Sequence, residues 1–181
     1  MASSRGATID DLYHVEGKAE LVNGELVLMA AAGYRHGRVA LRIAASLLEY
    51  ENRTGRGHAL PDNVGFIVDL PRRRSFSPYA AFATQVVTDN FVDGAPVFAV
   101  EVRSQDDYGP AAARAMAEKR ADYFAAGTQV VWDVDTIGDG AVRVYRASDP
   151  AKPGIYRRGE IADAEPALPG WSMPVDDLFP A

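Results

Sequence analysis

Near the middle of this chain a carboxylate interrupts an apolar strand, and this segment limits the possible folds more than any other. The run is Val97-Phe98-Ala99-Val100-Glu101-Val102, followed by Arg103-Ser104. Such a run reads as a strand buried on both faces. Pro110 then opens a helix carrying Glu118-Lys119-Arg120, and Gln129-Val130-Val131-Trp132-Asp133-Val134-Asp135 supplies a second apolar strand. A helix between two strands of one sheet makes a crossover, so this pair is expected to be parallel. An ionised Glu101 in such a place is costly unless it is paired or bound to a metal.

The flanking segments extend this core. Thr8 with Asp11 three residues on is an N-cap signature for a short helix. Asn23-Gly24 between Ala19-Glu20-Leu21-Val22 and Glu25-Leu26-Val27-Leu28-Met29 predicts a hairpin, with Glu20 and Val22 on one face. Val39, Ile43, Leu47 and Tyr50 recur at helical spacing and predict a helix over about 35–52. Three strands are expected next. The first is 64–69, with a short piece at 58–60 as a candidate before it. The second runs from Pro78 to Ala83, and the third is 97–102. The arginines 72–74 fall in the turn between the first two. The central helix should end at Ala126, with Gly127 as a left-handed cap. On it Ala112, Met116, Lys119 and Tyr123 share a face. Strands near 141–145 and 155–156 and an ordered arm over about 147–181 complete the chain. The expected class is α/β: a mixed sheet with helices packed on it, in the core order helix, three strands, helix, strand. Residues 1–181 form one domain on this reading, with a core over about 19–146.

Composition narrows the function. Zero cysteines exclude thiolate chemistry, and no segment approaches the ~20 apolar residues of a membrane span. With an N-terminus that lacks a signal-like apolar stretch, this favours a cytoplasmic protein. A net charge of −6 argues against a general nucleic-acid coat protein, but not against an enzyme with a local basic rim.

The order of elements and several short patterns resemble the Uma-type family of bacterial endonuclease-like proteins, within the PD-(D/E)xK restriction-endonuclease-like superfamily. The patterns are Ala19-Glu-Leu-Val-Asn-Gly-Glu-Leu-Val, His36 at the start of the first long helix, and Val100-Glu-Val-Arg-Ser104. Further on come Glu118-Lys-Arg-Ala-Asp-Tyr123, Ala126-Gly127, Val131-Trp-Asp-Val-Asp135, and the ending Leu168-Pro-Gly with Leu178-Phe179. The resemblance covers about residues 8–179. It implies a metal-dependent DNA endonuclease using Mg²⁺, with Glu101 as metal ligand, Lys119 as the catalytic lysine, and Glu20 and His36 at accessory positions. It also implies a second metal-binding Asp directly after a proline. That proline is Pro78, and Tyr79 stands in place of the Asp. Arg103 takes the place where other superfamily members keep their lysine.

Phosphodiester hydrolysis needs an activated water and a counter-charge, both of which a bound Mg²⁺ supplies. Glu101, Lys119 and Glu20 meet part of that need. Tyr79, a neutral phenol, does not. Asp62 is the first candidate for a substitute acid. Catalysis is therefore expected to be impaired and Mg²⁺ weakly held or absent. The alternative is a degenerate nuclease-fold protein that binds nucleic acid or a protein partner without cutting. Taken singly, each residue also has a plainer reading. On it Glu101 is a structural acid paired with Lys119 or Arg103, Lys119 a solvated helix lysine, and His36 a polar residue in a first helical turn. On that reading Glu20 faces solvent and 72–74 is a solvated turn. Exposed strand edges and the resemblance favour a homodimer.

Overall fold

The computed structural model describes residues 6–86 and 88–179. In chain order the elements are α1 (Ile9–Tyr13), β1 (Ala19–Val22), β2 (Glu25–Leu28), α2 (Tyr34–Thr54), β3 (His58–Leu60), β4 (Phe66–Ile67), β5 (Ser75–Phe76), β6 (Ala80–Ala83), β7 (Val92–Asp93), β8 (Phe98–Val102), α3 (Pro110–Ala125), β9 (Val130–Val134), β10 (Val142–Arg146), β11 (Asp149–Tyr156), β12 (Ile161–Asp163), β13 (Ser172–Pro174) and α4 (Val175–Leu178).

Local chemistry accounts for most boundaries. Thr8 and Asp11 close a reciprocal capping box on α1. Asn23 and Gly24 both have positive φ, 52° and 74°, as a two-residue hairpin turn of the I′ kind requires. Pro110 supplies the first turn of α3, and Gly127 at φ 104° follows its C-terminus.

Six strands form the main sheet in the order β11-β10-β9-β8-β6-β3. Only β8 and β9 run parallel, joined through α3 as expected for a crossover; their neighbours are antiparallel. Alternation along β8 and β9 divides the layers. Phe98, Val100, Val102, Trp132 and Val134 face α2 and the C-terminal arm, where they pack with Ile43, Leu47, Trp171 and Leu178. Ala99 and Val131 face the other way, towards Tyr123 of α3 and the aromatic pair Phe66 and Phe76. Full burial of each large side chain in the first layer contributes roughly 1.5–3 kcal/mol.

One strand expectation is corrected. The edge strand beside β6 is β3, whereas the apolar run at 64–69 yields only β4. That short strand joins a separate sheet in the order β5-β4-β7. Phe66 is buried there against the α3 side of the core, so its apolar character serves a satellite layer.

The α3 helix is unusual in how it docks. Tyr123 is its one buried residue, so polar side chains make most of its approach to the sheet. Those side chains build the site.

Candidate active site

Alternation sets Glu101 on the same face of β8 as Ala99, beneath α3. Lys119 and Tyr123, one helical turn apart, reach down to it. Lys119 Nζ lies 2.8 Å from Glu101 Oε1, and the Tyr123 hydroxyl donates to the same oxygen at 2.7 Å. Lys119 Nζ lies equally close, 2.8 Å, to Glu20 Oε1. Glu20 is buried, contrary to the solvent-facing expectation for a hairpin residue. Its Oε1 also accepts from the Ser77 backbone N–H at 2.8 Å, and its Oε2 accepts from Arg73 Nη1 at 2.6 Å. Arg73 in turn donates through Nε to Asp122 at 2.9 Å. The 72–74 turn is therefore no simple solvated turn: Arg73 is buried, and Arg72 bridges Glu118 and Asp122 on α3.

This network explains the protonation states. Burial alone would raise the Glu20 carboxyl, but Lys119 and Arg73 outweigh it and hold the group below its ordinary range. Burial opposes charge on Lys119 too, yet Glu101 and Glu20 together raise its ammonium above the usual lysine range. Burial and the neighbouring carboxylates push the Tyr123 phenol well upward, so it stays a hydrogen-bond donor.

Tyr79 lines the same cleft as Glu101, Lys119, Glu20 and His36, a recess of about 1050 Å³. Its ring packs edge-on against His36 at a centroid distance of 4.3 Å. Burial, then the Glu101 charge, push its phenol up to about 12. The Lys18 ammonium sits 3.2 Å from the centre of the Tyr79 ring and 2.7 Å from Asp62 Oδ1. Burial pulls Lys18 below the usual lysine range, against the opposing pull of Glu101 and Asp62. Asp62 is thus engaged with Lys18. His36 is buried and its Nε2 contacts the Val102 carbonyl at 2.7 Å. That contact makes Nε2 a donor, and Nδ1 has no hydrogen-bond partner among the described residues.

The resemblance implies a divalent metal, and the donor set here does not fit one. Both oxygens of Glu20 are engaged, Tyr79 is neutral, and Glu101 offers one oxygen, Oε2, without a donor among the described residues. No group of three or more His, Cys, Asp or Glu that could hold an ion occurs among the described residues. A Mg²⁺ ion takes oxygen ligands in near-octahedral order and prefers carboxylates to phenols.

The sequence profile of the Uma2 family, described as "Putative restriction endonuclease", matches residues 8–176. The chain belongs to the Uma2 family. A solved structure described as a "putative nuclease belonging to DUF820", from Anabaena variabilis, superimposes with a TM-score of 0.75 at 14% identity. The match covers 95% of this chain and 97% of that one, so the fold is shared almost end to end. No curated protein matches the sequence. Within this Uma2 chain, the fold brings Glu101, Lys119, Glu20, His36 and Tyr79 into one cleft.

Several site residues escaped sequence reasoning. Lys18 could have been found, because it shares the hairpin face of Glu20 two residues on. Arg73 and Asp122 carried no such signal, since their pairing spans 49 positions. Asp133 could have been found only with the β8–β9 register, which sets it opposite Glu101.

Proposed function

We propose that this chain is a nuclease-fold protein that holds nucleic acid, DNA in preference, in the α3 cleft while hydrolysing it poorly or not at all. The observation that carries this reading is the Lys119 ammonium at 2.8 Å from both Glu20 and Glu101. The protein's own cation thus neutralises the acids that a metal would need. The Lys18–Tyr79 stack adds a second cation where the resemblance calls for an aspartate. Support for nucleic acid comes from the family and from a cleft whose lining includes Arg35, Arg73, Arg103, Lys119 and Arg120. We include a homodimer in this reading, supported by sheet edges β3 and β11 that carry no partner strand among the described residues.

A metal-dependent endonuclease is the second reading, favoured by the open Oε2 of Glu101. Calorimetric titration with Mg²⁺ and Mn²⁺ separates the two. The native chain is expected to bind either ion weaker than ~1 mM, an affinity equal to about −4 kcal/mol. Tyr79→Asp combined with Lys18→Met should bind at least about tenfold tighter, and Glu101→Ala should abolish that gain. Tight binding to the native chain, lost in Glu101→Ala, would replace the first reading with the second.

A further inference from the structure

The second acid on the α3 face belongs to a different cluster. Asp133 is fully buried on β9, and Arg103 grips it with two parallel hydrogen bonds, Nε to Oδ1 and Nη2 to Oδ2, both 2.7 Å. Arg120 Nη1 reaches Oδ2 at 3.5 Å, and its guanidinium lies 4.0 Å from the centre of the Tyr145 ring. Two guanidiniums thus share one carboxylate. One would balance it; the second leaves a positive surplus in a recess where an unpaired charge is costly.

Asp135 also acts on Arg103, but it shares its charge with Arg143 at 4.0 Å, and Asp133 is the one carboxylate within ion-pair distance of Arg120 among the described residues. Glu101 and Glu20 are occupied by Lys119, Tyr123 and Arg73. Asp107 accepts from the backbone N–H and hydroxyl of Ser104. Asp135 accepts from the Tyr108 hydroxyl and the Ile137 and Gly138 N–H groups, and Asp106 stands exposed on the rim. Access is asymmetric as well. The Arg103 and Arg120 side chains keep 18% and 15% exposure to the cleft, against 1% for Asp133. At this cluster an incoming group therefore meets guanidinium and not the Asp133 carboxylate. Each guanidinium has five N–H donors; Arg103 commits two to Asp133 and Arg120 commits one.

We infer that Arg103 and Arg120, sharing Asp133, form a phosphate-binding subsite in the cleft that works without a metal. Its ligand class is a phosphate mono- or diester, because planar N–H forks match tetrahedral oxyanions. Only the choice of a nucleic-acid strand as the natural source rests on the function proposed above.

The full-length chain is titrated with inorganic phosphate by calorimetry, and with a short labelled DNA duplex by fluorescence anisotropy at two salt concentrations. Arg120→Gln leaves the Arg103–Asp133 pair in place. It should weaken phosphate binding by about tenfold and lower the salt slope for DNA by about one. Asp133→Asn frees both guanidiniums and should tighten phosphate binding. Thermal melting confirms that each variant is folded. Phosphate binding that depends on Arg120, with no DNA binding, keeps the subsite and removes nucleic acid as its source. DNA binding that neither substitution changes removes the subsite and keeps the nucleic-acid reading. A native chain that binds neither ligand overturns both.

Discussion

Glu101 and Asp133 are register partners on adjacent parallel strands, and α3 gives each its own cation. Lys119 serves Glu101, while Arg120, the next residue, reaches Asp133. Two acids that would repel across a strand pair are thereby held in separate ionic clusters. The arrangement also explains how a helix with one buried residue stays seated on the sheet.

Removing the Tyr123 hydroxyl tests that seating. Tyr123→Phe keeps the stacking on Phe76, at 3.9 Å and 11°, and deletes the 2.7 Å hydrogen bond to Glu101. Hydrogen bonds to charged groups contribute about 1.5–3 kcal/mol. Urea unfolding should show a loss in that range with an unchanged m-value. A loss under ~0.5 kcal/mol would mean that Glu101 is already satisfied by Lys119.

Stability should also follow pH with a definite sign. Against the opposing effect of burial, Lys119 and Arg73 hold the folded-state Glu20 carboxyl below its ordinary value of 4.5. Its contribution is therefore complete above about that pH and is lost as pH falls through the lower folded value. Against burial, Glu101 and Glu20 raise Lys119 above its ordinary value of 10.5. Its contribution is present below that pH and is lost as pH rises through the higher folded value. The expected profile is flat between these limits and falls on both sides. Glu20→Gln should lower the plateau and flatten the acid limb. An acid limb of unchanged steepness in that variant would assign acid lability to other carboxylates.

Much of this architecture was legible because it depends on local chemistry. Asn23-Gly24, Pro110 and Gly127 mark their turns and ends wherever the rest of the chain goes. The meeting of Glu101 and Lys119 was legible too, since a strand, a crossover helix and one helical turn leave little freedom. Placement of 64–69 was not. A short apolar run lacks a period that says which sheet it joins, and pairing partners decide that. The burial of Glu20 was equally hidden, because Arg73 lies 53 positions away in a turn without regular pattern. Tyr79 is legible as a departure from the metal-binding pattern that the resemblance implies, whereas its contact with Lys18 shows in the sequence only through strand alternation, which puts Lys18 on the face of Glu20.

The Lys18–Tyr79 contact should be measurable as a coupling. Tyr79→Phe keeps the ring and should leave stability within ~0.5 kcal/mol of native. Tyr79→Leu removes the ring face under an ammonium whose side chain is 9% exposed. A cation over an aromatic face is worth about 0.5–2 kcal/mol depending on desolvation. A double-mutant cycle of Lys18→Met and Tyr79→Leu should return a coupling energy in that range. Zero coupling would mean that Asp62 alone holds Lys18.

The Arg103–Asp133 pair separates binding from stability. Either residue replaced singly leaves a buried partner charge uncompensated, so Arg103→Leu or Asp133→Leu should cost about 3–5 kcal/mol. Arg120 cannot rescue Asp133 fully, because it stands 3.5 Å away and is stacked on Tyr145. The double substitution Arg103→Leu with Asp133→Leu removes both charges from two adjacent strands that already carry Val102, Val131 and Val134. Replacing a whole buried ion pair by apolar residues of similar size is often neutral or stabilising. Because Arg120 then lacks its carboxylate but keeps its stack on Tyr145, chemical denaturation should place this double variant between native and the single variants. The same variant should lose most of its phosphate affinity, since Arg120 alone then faces the ligand. If the double variant keeps both stability and phosphate binding, Arg103 is a bystander. If it unfolds, the pair is an obligatory part of the strand register.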